Sequence, residues 1–120
     1  MTTSILDTIK KLLGFEKDYT AFDLDIMTHI NAAFLSLQQI GVGPKKGYSI
    51  SGPENEWEEF LSNGPLLDSV KSYMYVKVRL LFDPPTMASV LTSMENLVKE
   101  LEWRLNHEAE KAVLFYGCLS

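Results

Sequence analysis

Apolar residues recur along most of this chain at three- and four-residue steps, the spacing of helices that each bury one face. Ser4 offers an N-cap with Asp7 three residues on, and Ile5, Ile9, Leu12 and Leu13 follow helical spacing up to Gly14, which predicts a helix end. Thr20-Ala-Phe-Asp23 reads as an acidic variant of the capping box. From there Phe22, Ile26, Ile30, Ala33, Phe34, Leu37 and Ile40 form one stripe to Gly41. Four of the seven glycines and two of the five prolines fall in residues 41–54, which predicts a long loop with room for one extended stretch over Tyr48–Ser51.

A short acidic helix is predicted over Asn55–Ser62. It turns Trp57, Phe60 and Leu61 inward and Glu56, Glu58 and Glu59 outward, and Asn63-Gly64-Pro65 closes it. Leu66–Phe82 is apolar on nearly every side, as a helix covered by neighbours would be. The β-branched and aromatic content of Tyr73–Leu81 makes strand a rival, but the 67/70/74/78/81 spacing favours helix. Asp83-Pro84-Pro85-Thr86 restarts the chain. The last long helix, over about 86–108, carries the stripe Val90, Met94, Leu97, Leu101 and Leu105, with Glu95, Lys99, Glu102 and Asn106 on its far side. The apolar tail Ala112-Val-Leu-Phe-Tyr116 follows. The fold class expected is all-α: a bundle of about four to five helices with one Gly/Pro-rich loop (41–54), one helical unit over 1–109 and an extended C-terminal arm over 110–120.

Composition narrows the function classes. The 120 residues fit one domain, and 46% hydrophobic with 22% charged residues is ordinary globular usage. The lone Cys118 cannot close an intrachain disulfide. A net charge of −5 argues against a protein that grips nucleic acid through a basic face. The N-terminal stretch has an acid, Asp7, where a signal peptide needs basic residues, and no apolar run approaches a membrane span; a reducing intracellular compartment is expected.

Catalytic and cofactor motifs do not emerge. The Gly41–Gly47 loop carries two lysines, but a P-loop needs Lys-Ser/Thr after its last glycine and a strand before it, whereas here Tyr48 follows Gly47 and a helix precedes the loop. Asp25 and His29 share a helix face without the Glu-x-x-His repeats of a bundle metal site, and His107 sits at a fraying helix end. Cys118 has no positioned histidine. No cofactor, metal or catalytic residue is expected. Surface candidates remain. Trp103 and Arg104 precede the apolar Val113, Leu114, Phe115 and Tyr116, and Trp, Tyr and Arg are enriched at interface hot spots. Two readings stay open: Trp103 caps the core and the tail folds back on the bundle, or the tail reaches a neighbouring subunit.

The stretch Val70–Pro85 and the segment Glu100-Leu-Glu-Trp-Arg-Leu-Asn106 resemble the small head–tail connector (adaptor, or head-completion) proteins of tailed bacteriophages and prophages. Asp18-Tyr-Thr-Ala-Phe-Asp23, His29-Ile-Asn31 and Gly41-Val-Gly43-Pro are similar too, so the likeness runs through most of residues 12–106. The resemblance implies an all-helical protomer in a dodecameric ring beneath the portal protein, with tail-side neck or stopper proteins docked below. The expected job is structural: to extend the DNA channel in the virion neck and offer a platform for the tail, after synthesis in the host bacterial cytoplasm. DNA would pass without sequence-specific binding, no membrane is involved, and acidity suits a wall along which phosphate must slide.

On this reading Trp103, Arg104, Val113, Leu114, Phe115 and Tyr116 are the candidate portal contacts. Lys45, Lys46, Tyr48 and Ile50 are the candidate loop contacts to a subunit or tail-side partner. Glu54, Glu56, Glu58 and Glu59 are the candidate acidic face toward the lumen or a partner. A helical regulatory or chaperone-like binding module is the alternative. An enzyme would need Asp25 and His29 to converge with carboxylates from other helices.

Overall fold

Ser4 caps the first helix, α1 (Ile5–Leu13): its hydroxyl accepts from the Asp7 N–H at 3.2 Å, and Gly14 at φ 95° ends the helix in the left-handed region. A computed structural model describes residues 4–62 and 64–117, with side chains through Glu110. Helix α2 spans Asp23–Gln39, the single turn α3 Trp57–Phe60, α4 Gly64–Phe82 and α5 Ala88–Gly117. The chain is all-α, as its spacing predicts. Tyr73–Leu81 is helix, so the strand rival is excluded.

Helix α4 lies at the centre, packed against α1, α2 and α5. Its buried residues Leu67, Val70, Tyr73, Met74, Val76 and Val78 spread over about 200° of its circumference at ~100° per residue. Phe22 at the start of α2 meets Phe82 at the end of α4, with ring centroids 5.7 Å apart. At the other end of α2, Asn106 Nδ2 of α5 donates to Ile40 O at 3.1 Å. Helices α2 and α5 therefore both run antiparallel to α4 and flank it.

Several expectations from the spacing need correction. The Thr20–Asp23 capping box does not form; Phe22 is the N-cap of α2 without a side-chain bond, because the Asp23 carboxylate is taken elsewhere. Its Oδ1 meets the Lys10 ammonium at 2.8 Å. The Lys10 side chain is 1% exposed against 22% for Asp23, and its Nζ also donates to Lys17 O at 2.9 Å. In α1, Leu6 is buried where Leu12 was expected, and in α4 Leu81 is exposed.

On α5 the stripe shifts by about one residue: Val98, Leu105 and Ala109 are buried with Leu91, Met94 and Leu101 half-buried, while Val90 and Leu97 face outward. Glu102 and Asn106 were expected on the far side and are instead turned inward. Glu102 Oε2 accepts from the Tyr73 hydroxyl at 2.7 Å, which ties α5 to α4. Residues 110–117, expected as an extended arm, continue the helix to Gly117.

The Lys10–Asp23 pair generates a stability prediction. Lys10→Met keeps the stem's bulk but leaves a largely buried carboxylate without its counter-charge, and should cost about 3 kcal/mol in urea unfolding. Combining it with Asp23→Leu should recover most of that loss, since the stranded charge is then gone.

A pH prediction follows from Tyr73. Burial foremost, then the bond to Glu102 and its charge, holds the Tyr73 hydroxyl well above its usual value. The unfolded chain loses that proton near pH 10 while the folded chain keeps it, so stability is full below pH 10 and falls as pH rises beyond it. The slope from this group approaches about 1.4 kcal/mol per pH unit. Denaturant midpoints between pH 9 and 11 should therefore fall less steeply for Tyr73→Phe than for the wild type.

Candidate functional site

The Gly/Pro-rich loop is anchored to the bundle by side chains of α2. The Asn31 amide takes both backbone groups of Ile50: Oδ1 accepts from Ile50 N–H at 2.8 Å and Nδ2 donates to Ile50 O at 3.1 Å. An amide side chain thus does for the extended stretch what a neighbouring strand would do. Gln38 Nε2 donates to Lys45 O at 3.1 Å. Gly43, at φ 90°, sits so close to the Phe60 ring that a Cβ there would collide with it, which explains the glycine.

These anchors divide the loop candidates. Ile50 is buried, and Tyr48 is half-buried, edge-on to Phe34 at 5.2 Å and to Phe60 at 5.7 Å. Lys45 and Lys46 occupy the two central positions of a turn closed by Gly47 N–H donating to Pro44 O at 3.0 Å, and both are exposed. The loop therefore presents a two-lysine tip on a fixed base.

The acidic candidates stand together beside this base. Glu54, Glu56, Glu58 and Glu59 are all exposed around α3, whose Trp57 and Phe60 are buried. Trp57 Nε1 donates to Thr8 Oγ1 at 3.1 Å, and the Lys71 ammonium lies 5.6 Å from the centroid of its ring. Ile5 N–H donates to Asn55 O at 3.1 Å, so α3 is held to the start of α1. Glu59 Oε1 accepts from the Glu56 N–H at 2.6 Å and from the Tyr48 hydroxyl at 3.3 Å. Burial, followed by the Glu59 charge, raises the Tyr48 hydroxyl above its usual value.

On α5, Trp103 is 68% exposed and stacks on His107, with ring centroids 5.6 Å apart and planes 3° from parallel. It does not cap the core. Arg104 Nη2 bonds Glu100 Oε1 at 2.7 Å, one turn back on the same exposed surface. The side chains of Val113, Leu114, Phe115 and Tyr116 lie outside the described residues. The structure thus exposes the lysine tip and the acidic turn, joined through the Tyr48–Glu59 bond at the loop base, and Trp103 with Arg104 on α5.

Asp25 is exposed, and His29 packs edge-on to Phe82 at 6.2 Å. No group of three or more His, Cys, Asp or Glu that could hold a metal occurs among the described residues. No helix among them is long and apolar enough to cross a membrane.

A family model described as phage connector protein matches residues 5–112. The chain belongs to the phage connector protein family. No match was found among curated proteins or among solved structures. As a phage connector it is a structural component that associates with head and tail parts. The match covers all five helices up to residue 112, including the acidic turn, the lysine tip and Trp103 with Arg104.

Sequence reading of this connector missed Asn31 as the loop anchor, although an Asn two steps from a stripe position is a visible polar intrusion into α2. It also missed Leu24 and Leu35, two large apolar residues that lie off the α2 stripe and are exposed.

The loop anchor can be tested directly. Asn31→Ala leaves the Ile50 N–H and C=O without their partner and should lower stability by about 1–3 kcal/mol. Amide exchange should accelerate over residues 43–51 while α4 stays protected, because the loop is lost before the bundle.

Proposed function

We propose that this connector acts as a homo-oligomeric ring, a dodecamer, seated beneath the portal protein in the virion neck. The ring lengthens the channel through which packaged DNA passes and offers tail-side neck or stopper proteins a place to dock. The observation that carries this reading is the family match over residues 5–112, together with site chemistry made of surfaces rather than a polar cleft. The role is mechanical, and the chain carries no catalytic step.

Charge fits this work. A net −5 chain with a cluster of exposed carboxylates on α3 would repel the duplex, whereas a basic lining would bind phosphates and release counterions. The acidic turn serves as the lumen face or meets a basic patch on a tail-side partner. Lys45 and Lys46 at the loop tip meet a neighbouring subunit or a tail-side protein. Trp103, Arg104 and the segment from residue 110 onward contact the portal. Synthesis takes place in the host bacterial cytoplasm, before assembly.

A truncation tests the portal contact. Ala109 is buried, its Cβ 3.7 Å from the Cβ position at Gly41, so a chain ending at Glu110 keeps that packing. Its unfolding midpoint should stay close to the wild type, within about 1 kcal/mol. Co-sedimentation with portal-bearing, DNA-filled heads should show the full chain saturating at a fixed copy number and the truncated chain failing to bind. Equal binding of the two would overturn the assignment of the C-terminal segment. Failure of the full chain itself, with the protein a protease-resistant monomer, would favour the helical binding module instead.

A further inference from the structure

The end of the bundle where α2 begins and α4 stops carries a cluster of rings. Phe15 meets Tyr19 and Phe22 at 5.8 Å each and Phe82 at 6.0 Å between centroids, and Tyr19 lies 6.1 Å from Phe22. Phe15 and Phe82 are half-buried and pack on the core, whereas Tyr19 and Phe22 are 48% and 40% exposed. The turn that holds these outer rings is fixed. The buried Lys10 ammonium bonds Lys17 O and Asp23, Phe15 N–H donates to Lys10 O at 2.8 Å, and Tyr19 N–H donates to Glu16 O at 3.1 Å. A platform already held in place lowers the ordering cost of binding.

The surroundings of the exposed rings are acidic. Asp18 adjoins Tyr19 in sequence, and Asp25 stands three residues after Phe22, nearly one helical turn on. Both are exposed, and neither carboxylate is in an ion pair among the described residues. From the end of α1 at Leu13 to Asp25, the exposed charged residues are Glu16, Lys17, Asp18 and Asp25, three acids to one base.

Ring faces with carboxylates beside them favour one side chain. A guanidinium is flat enough to lie on Tyr and Phe while its edge N–H groups donate to carboxylates; an ammonium has no face to lay on a ring. Both arginines of this chain are engaged locally, Arg79 Nε with Asp83 O at 2.7 Å and Arg104 with Glu100. The guanidinium that fits the platform therefore belongs to another protein.

Position indicates which protein. Phe82 leads through residues 83–87 into α5, so the ring cluster lies at the N-terminal end of that helix. The 30 residues of α5 run about 45 Å at 1.5 Å per residue, close to the 47 Å longest dimension of the chain. The ring cluster and the segment from residue 110 onward therefore lie at opposite ends of the subunit. We propose that the Tyr19–Phe22 platform, with Asp18 and Asp25, binds an arginine-bearing segment of a tail-side protein. The tail-side placement rests on the proposed ring: with residues from 110 onward at the portal, the far end of each subunit is left for the tail.

Two measurements test this. On the free full-length protein, N-acetyl-arginine amide should shift the amide NMR signals of residues 18–25 and of Phe82 saturably. The neutral N-acetyl-citrulline amide and the non-planar N-acetyl-lysine amide should bind severalfold more weakly. Tyr19→Ser with Phe22→Ser should abolish the shifts in a chain that is folded by circular dichroism. Asp18→Asn with Asp25→Asn, two exposed sites that leave the rings in place, should weaken arginine binding about tenfold. Equal shifts from the arginine and citrulline probes, or none from either, would overturn the guanidinium site. On portal-bearing, DNA-filled heads, the Asp18→Asn/Asp25→Asn chain should load to the wild-type copy number while joining of purified tails falls about tenfold. Loss of loading in that variant, or tail joining at the wild-type level, would overturn the tail-side placement and leave the ring intact. Wild-type chains failing to load would count against the ring itself, and the probe titration then decides the arginine site on its own.

Discussion

Everything else in this fold is arranged to cover helix α4. Its buried side chains occupy more than half of its circumference, so no single neighbour could shield it. In a chain of 120 residues the three other helices of more than one turn are all committed to that task, α2 and α5 on its flanks and α1 packed against both α2 and α4. Covering is one-sided for each of them. The helices that shield α4 are themselves left with an uncovered outer face, and this is why so small a connector shows apolar residues such as Leu24, Leu35, Met87 and Trp103 to its surroundings.

Apolar contact is non-directional, and the bundle relies on a few polar groups to fix its register. Lys10 holds the turn after α1 through Lys17 O and the start of α2 through Asp23. Tyr73 and Glu102 set the alignment of α4 with α5, and Asn106 sets that of α5 with the end of α2. Asn31 places the loop. Each joins elements distant in sequence, and each becomes costly once half-made, because a buried polar atom without its partner has lost its water.

Those same groups mark where sequence reading stopped. Helix existence was legible at every one of the five elements, because 3.6-residue spacing, Ser4 and the glycines at 14 and 41 are local signals. The central place of α4 was legible too, from its lack of a polar face. The rotation of α5 was not: Val90 and Leu91, and likewise Leu97 and Val98, are apolar neighbours, so spacing alone does not choose which of each pair turns inward. Glu102 looked like a solvated charge because its partner, Tyr73, is brought to it only by tertiary packing, and the same packing pairs Lys10 with Asp23. Among the candidate contacts, Lys45 and Lys46 were legible as surface, Trp103 stayed open between capping the core and facing a partner, and Ile50 reads as surface only until its backbone is seen pinned to Asn31.

Charge is distributed along α5 in a way that ties fold to assembly. Its first turns are uncharged, while residues 95–110 carry Glu95, Lys99, Glu100, Glu102, Arg104, Glu108 and Glu110. A single helix thus offers an apolar face at one end and a charged, Trp-bearing face at the other. A net charge of −5 on every copy opposes casual association in solution. In the proposed ring, contacts too weak to form in solution would act at high effective concentration on the portal and reinforce one another. The proposed ring calls for that balance: copies that repel one another while free and are brought together where the portal holds them.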